Sequence, residues 1–277
     1  MSVLSGGQSG SRSDTASRFA QNSVLERFAR GGFVMTGIVH LIIGYIAIRI
    51  AIGGGGGTAD QTGAMAEIAA KPFGRIALWI AVIAFAALGV WRLAEAVFGS
   101  ASKPDKDSTR AEAFRRAKAA ALAVIYFAFA VSASVFARGG GKSSSGQSTG
   151  ITARLMQHTA GTIALILVGL VIVAVGGYHA YKGVTRKFLD DLRGPTGTAV
   201  RRLGTGGYIA KGLAVGAVGL LVILAVTRSE PEKAGGLDAA FKSLGAQPYG
   251  VLLLIVAALG IIAYGLYCFV MARLAKM

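Results

Sequence analysis

Six apolar stretches constrain this chain more than any other feature. They run over residues 31–52, 75–98, 118–137, 159–181, 207–227 and 249–271. A helix needs about 20 apolar residues to cross a bilayer, and each stretch meets that length. The rest of the composition agrees. Of the 277 residues, 53% are hydrophobic and only 15% are charged, and the charges lie between the apolar stretches. The expected fold class is all-α, a polytopic membrane helical bundle of six transmembrane helices.

The basic residues set an orientation. Lys and Arg outnumber Asp and Glu by 29 to 13, and their placement alternates along the chain. Residues 1–30, 92–118, 182–211 and 273–277 together carry 20 of them, and the three other connections carry 9. This positive-inside bias places both termini in the cytoplasm of a cell expected to hold the protein in its plasma membrane. The stretch RAEAFRRAK (110–118) could also meet anionic headgroups. No aromatic-interleaved basic motif accompanies the charge, so nucleic acid is not an expected partner. Residues 1–25 are rich in Ser and Gly without an apolar core, and are expected to be a disordered cytoplasmic tail rather than a signal peptide. Cys268 is the single cysteine, which rules out an internal disulfide framework and a cysteine zinc site.

The spans repeat. Aligning the first, third and fifth superimposes Gly37, Ala123 and Gly212, then Gly44, Ala130 and Gly219. Aligning the second, fourth and sixth superimposes Gly74, Gly161 and Gly250, then Gly89, Gly176 and Gly265, then Trp91, Tyr178 and Tyr267. The chain is thus three tandem parallel hairpins over 26–104, 105–195 and 196–277, within one membrane domain. Parallel repeats are related by an axis along the membrane normal, so approximate threefold symmetry is expected. The connections preceding each second helix, GAMAEIAAKPFG, GITARLMQHTAG and GLDAAFKSLGAQPYG, also correspond. In the last, Leu237, Phe241 and Leu244 share a helical face, which predicts short amphipathic helices on the outer membrane surface. This three-hairpin pattern, with its Gly-rich spans and the AQPYG segment before the last helix, resembles the actinobacterial membrane family catalogued as domain of unknown function 1206. The resemblance covers about 28–277 and implies a cytoplasmic-membrane protein. It carries no activity, cofactor or site residue with it.

Within the first span, GFVMTGIVHLIIGYIAIRI holds one imidazole, His40. At 100° per residue, His40 falls within the stripe formed by Thr36, Gly37, Gly44, Ala47 and Ala51. Small residues let membrane helices approach closely, so His40 is expected to point into protein, with Thr36 or Tyr126 as its hydrogen-bond partner. The aligned position holds Tyr126 in the second repeat and Val215 in the third. Insertion tolerates a neutral imidazole here. The large apolar residues of the span contribute about −3 to −7 kcal/mol together. A neutral packing histidine and a proton-carrying or ligand-binding one both remain open, since ionisable residues inside a membrane are functional candidates by default.

A second candidate group lies at the cytoplasmic edge: Trp91, Arg92, Glu95, Tyr178, His179 and Tyr267. Its simplest form is an ion pair, Arg92 with Glu95, amid an interfacial aromatic belt that includes Tyr181. A ring of aromatics about the pseudo-threefold axis is the alternative. His40 lies about 15 Å deeper than His179 at 1.5 Å per residue, which argues against bis-histidine haem ligation. No metal-ligand spacing, phosphate-binding glycine loop or Ser-His-Asp arrangement is present. Neither a cofactor nor a metal is expected. The sequence supports a non-enzymatic scaffold that binds membrane lipid, a membrane-protein partner or a second copy of itself. The alternative is a small transporter or channel with a polar site near His40 and Tyr126.

Overall fold

The computed structural model describes residues 23–54, 57–98 and 109–276. The tail expected over 1–25 lies outside them, except that Ser23, Val24 and Leu25 already belong to the first helix. The helices are α1 (Ser23–Ala51), α2 (Gln61–Ala69), α3 (Gly74–Phe98), α4 (Thr109–Ala137), α5 (Ser144–Leu155), α6 (Thr159–Val184), α7 (Thr198–Thr227), α8 (Gly236–Gly245) and α9 (Gly250–Leu274). Among the described residues six of them, α1, α3, α4, α6, α7 and α9, are long and apolar enough to cross a membrane. Val124, Leu167, Val171, Leu252 and Val256 are exposed on the spans, as lipid-facing side chains would be. Three helices, α1, α4 and α7, start well before their apolar runs. The basic stretch 110–118 is the first part of α4 and not a loop, because Ala, Glu and Arg are strong helix formers. An i,i+4 pair, Glu112–Arg116 at 2.7 Å, supports it.

The spans pack in the order α4–α3–α1–α9–α7–α6. The most extensive contacts are α6 on α7, α3 on α4 and α9 on α1. Each repeat therefore seats its first helix on the second helix of the repeat before it, and α1 seats on α9. The aligned small residues lie at these boundaries. A Cβ on Gly37 would come within 2.9 Å of the Gly265 carbonyl oxygen, and one on Gly265 within 3.0 Å of that of Gly37. Gly176 and Gly212 are related in the same way at 2.7 Å. In the remaining pair, Gly89 faces the Phe127 ring, and Ala123 is buried.

Packing within a repeat is less uniform. α1 meets α3 and α7 meets α9, but among the described residues α4 and α6 do not pack along their lengths. The residues explain why. Gly32 lets α1 approach Leu88, where a Cβ would come within 2.8 Å, and Gly207 lets α7 approach the Tyr264 backbone, at 2.6 Å. The aligned residue in α4 is Lys118. On the facing helices Ala84 and Gly260 correspond to Val171 in α6, which is exposed. Repeat 2 thus carries a lysine and a valine where its siblings carry small residues, and the ring stays open there.

The short helices lie together on the face opposite the chain ends. Each span after them carries, in its first turn, a glycine with no room for a side chain. A Cβ on Gly74, Gly161 or Gly250 would lie 1.7, 2.1 or 2.0 Å from the carbonyl oxygens of Ile68, Leu155 and Gly245. Buried Asp60 caps α2, accepting from Gly63 N at 2.8 Å, and also accepts from Thr62 Oγ1 and Ser144 Oγ, each at 2.7 Å. Asp238 accepts from Ala59 N at 2.9 Å and from Lys242 at 2.7 Å. These bonds join the three connections, and the apolar face of α8 turns onto the bundle. Phe241 is 2% exposed and packs into the bundle core. On the other face, Arg30 pairs with Glu26 at 2.7 Å and donates to the carbonyls of Ala272, Arg273 and Ala275. It satisfies orphan acceptors at the end of α9, where a cation also suits the helix dipole.

A cationic and aromatic cluster beside the open side

His40 is buried on α1. Its Nδ1 lies 2.8 Å from the Thr36 carbonyl oxygen, which makes Nδ1–H the donor. Its ring lies 4.9 Å from that of Tyr264 on α9. The Thr36 hydroxyl donates to Gly32 O at 2.8 Å. Thr36 therefore holds His40 through its backbone, and its side chain is engaged elsewhere. Tyr126, on α4, sits edge-on to Phe129 at 6.4 Å and has no hydrogen bond or ring contact with His40 among the described residues. The structure brings His40 and Thr36 together, and Tyr126 packs against the same aromatic cluster that His40 borders through Tyr264.

The residue beside His40 that sequence reasoning passed over is Lys211. Its Nζ donates to Tyr264 Oη at 2.8 Å and lies 4.0 Å from the centre of that ring. Tyr208 stacks between His179, at 6.1 Å and 21°, and Phe188, at 5.3 Å and 14°. Tyr264 and Tyr267 meet Tyr208 edge-on at 5.4 and 5.5 Å. Lys182 lies 5.3 Å from the Tyr208 ring and pairs with Asp191.

The edge group divides. Arg92 and Glu95 form the expected ion pair at 2.6 Å, each about a quarter exposed (25% and 27%), while Arg92 Nε is buried without a partner. Trp91 is partly buried against the inner cluster. Tyr178 and Tyr181 are about half exposed, as belt residues would be. Tyr267 is not part of a belt: it is fully buried and donates to Phe188 O at 3.2 Å. The reason is local. Residues 187–193 fold over the end of α9, with Arg193 N bonded to Leu274 O at 2.7 Å and Lys276 N to Asp191 O at 2.9 Å. Lys187, outside the spans, is held above its ordinary pKa by a hydrogen bond with the Tyr181 phenol, whose ring centre lies 4.9 Å from its ammonium.

Height and charge tie the cluster to the open side. A Cβ on Gly212 would lie 2.4 Å from Ala180 N, so Lys211 and His179 stand at one level. At that level Lys118 of α4 reaches toward α6 and sits 5.4 Å from the centre of the Tyr178 ring. His179 lies within electrostatic reach of Lys118, Lys182 and Lys211. Arg92 and Lys182 have carboxylate partners, whereas Lys118 and Lys211 have none among the described residues. Such an arrangement can hold an anion. Among the described residues no group of three or more His, Cys, Asp or Glu could hold a metal ion. One sequence signal does point to Lys118: it breaks a position that is glycine in both sibling repeats.

Three segments of the chain, residues 31–99, 117–186 and 206–275, match in tandem the family described as Domain of Unknown Function (DUF1206). The chain is also 25% identical over 248 residues to a protein of Bacillus subtilis (strain 168) described as Uncharacterized protein YxxB, with 88% of each chain covered. No solved structure matches it.

Proposed function

The chain belongs to the family described as Domain of Unknown Function (DUF1206), and from the geometry of this member we propose that it is a non-enzymatic lipid-binding bundle of the plasma membrane, with both ends in the cytoplasm. The observation that carries this function is the open side between α4 and α6. Five neighbouring pairs of spans are in contact, and the sixth would complete the ring. Hydrocarbon can enter a gap between two apolar helices without desolvating anything, because lipid tails are as apolar as the side chains they meet. The interlocked connections on one face and the Arg30 cap on the other support a fixed frame around that gap. The cytoplasmic placement of the chain ends follows the excess of Lys and Arg on their side.

The test is the lipid that stays with the protein. After extraction in mild detergent and repeated exchange, phosphorus analysis is expected to find at least one phospholipid per chain. A stable monomer free of lipid would refute lipid binding. Transport through a polar site has one observation in its favour: His40 Nε2 has no hydrogen-bond partner among the described residues. Loss of solute flux in liposomes on His40→Ala, with lipid retention unchanged, would favour it.

A further inference from the structure

We infer that the open side is a binding site for an anionic phospholipid of the leaflet on the side of the chain ends, with its phosphate between Lys118 and Lys211 and an acyl chain between α4 and α6. This rests on the lipid-binding function proposed above and adds the headgroup chemistry.

Four observations carry it. The two lysines come from different repeats, both lie within electrostatic reach of His179 of α6, and neither has a carboxylate partner among the described residues. Their only polar or ring contacts among the described residues are to tyrosines: Lys118 to the Tyr178 ring, Lys211 to the hydroxyl and ring of Tyr264. A phenol leaves an ammonium charge uncompensated, and inside a membrane that is costly unless an anion or water completes it. Lys211 is only partly exposed, and His179 beside it adds a ring nitrogen within the same cationic group.

The second observation is depth. Lys211 stands level with Ala180, between Tyr178 and Tyr181, which are the exposed tyrosines of α6. Tyrosines with this exposure mark the headgroup level of a bilayer. A lipid phosphate would lie at that height with its chains running deeper.

Third, the path for the chains is apolar. Ile125, on the Lys118 face of α4, and Leu167 and Val171, on the Tyr178 face of α6, are exposed. Fourth, Lys118 both opens the site and lines it. It stands where Gly32 and Gly207 close the other two repeats, so one substitution sets the gap and its charge.

The test uses the full chain in nanodiscs holding equal amounts of phosphatidylglycerol and phosphatidylcholine, with retained lipid read by native mass spectrometry. Wild type is expected to retain phosphatidylglycerol over phosphatidylcholine by about fivefold or more, the scale set by one lysine near an anionic lipid. Lys211→Met is expected to keep a lipid but lose the preference, and Lys211→Arg to keep both. Lys118→Gly is expected to lose the lipid itself by letting α4 close on α6. Should Lys211→Met fail to accumulate, Lys118→Gln reads the same loss of preference from the exposed rim. Equal retention of the two lipids by wild type, or an unchanged preference in Lys211→Met and Lys118→Gln, overturns the headgroup site while leaving lipid binding intact. Retention of no lipid at all overturns both. Displacement of the phosphatidylglycerol preference by millimolar inorganic phosphate would assign the site to a free anion and overturn the lipid.

Discussion

Gly176→Leu is expected to abolish stable packing of α6, while Gly177→Leu next to it is expected to do almost nothing. A Cβ on Gly176 would lie 2.4 Å from Gly216 N and 2.7 Å from Gly212 O, whereas one on Gly177 would meet nothing within 4 Å. Backbone atoms cannot turn away as a side chain can. α6 would have to move off α7, and α7 is the one span on which it packs extensively. Overpacking of this kind costs about 3 kcal/mol at the upper end of its usual range, and each kcal/mol lowers the midpoint by about 2–4 °C in a chain of this size. The control should stay within about 0.5 kcal/mol. The readout is built in. Cys268 is the single cysteine and is buried, so a thiol-reactive dye followed during heating reports unfolding from one site. Equal midpoints for the two variants would show that α6 is not held by close backbone approach.

Asp60→Ala is expected to be comparably damaging from the opposite face. Asp60 is 2% exposed and accepts three hydrogen bonds, from Gly63 N, Thr62 Oγ1 and Ser144 Oγ. The first caps α2, and the last ties repeat 1 to repeat 2. Loss of a cap costs about 1 kcal/mol, and each buried donor left without a partner costs about 1–3 kcal/mol. The sum expected is about 3–7 kcal/mol. Asp60→Asn keeps an oxygen acceptor for Gly63 and Thr62, and the Ser144 hydroxyl can rotate to accept from the new amide. It should recover most of the loss in the same dye assay. An alanine variant as stable as wild type would mean that the connections do not hold the repeats together.

The spans were legible because hydropathy over twenty residues is a strong signal, and the three repeats because glycine positions and aromatic positions recur in register. What those glycines touch was not legible. Neighbours in sequence suggest hairpins, yet Gly176 and Gly265 face Gly212 and Gly37 across repeat boundaries, because contact depends on which face each helix turns to its neighbours. His40 lies inside protein, where a stripe of small residues points it, and it bonds Thr36 through the backbone carbonyl, with the side chain of Thr36 engaged elsewhere. Lys211 stands out poorly as a site residue because it closes the basic stretch 182–211, where it reads as one more topology-setting charge although it also lies inside the apolar run 207–227. α7 begins at Thr198, so that lysine lies inside the helix and beside Tyr264. Tyr267 was misplaced for a related reason: the backbone pairing of 191–193 with 274–276 that buries it leaves no periodic trace.

The open side between α4 and α6 carries the proposed function, and imaging in a bilayer tests it most directly. A cryo-electron microscopy map of the full chain in phosphatidylglycerol-containing nanodiscs, with a rigid antibody fragment added for size, should show acyl-chain density between α4 and α6 and helix-to-helix contact at every other neighbouring pair. Direct packing of α4 on α6, with Lys118 turned out of a closed ring, would contradict it.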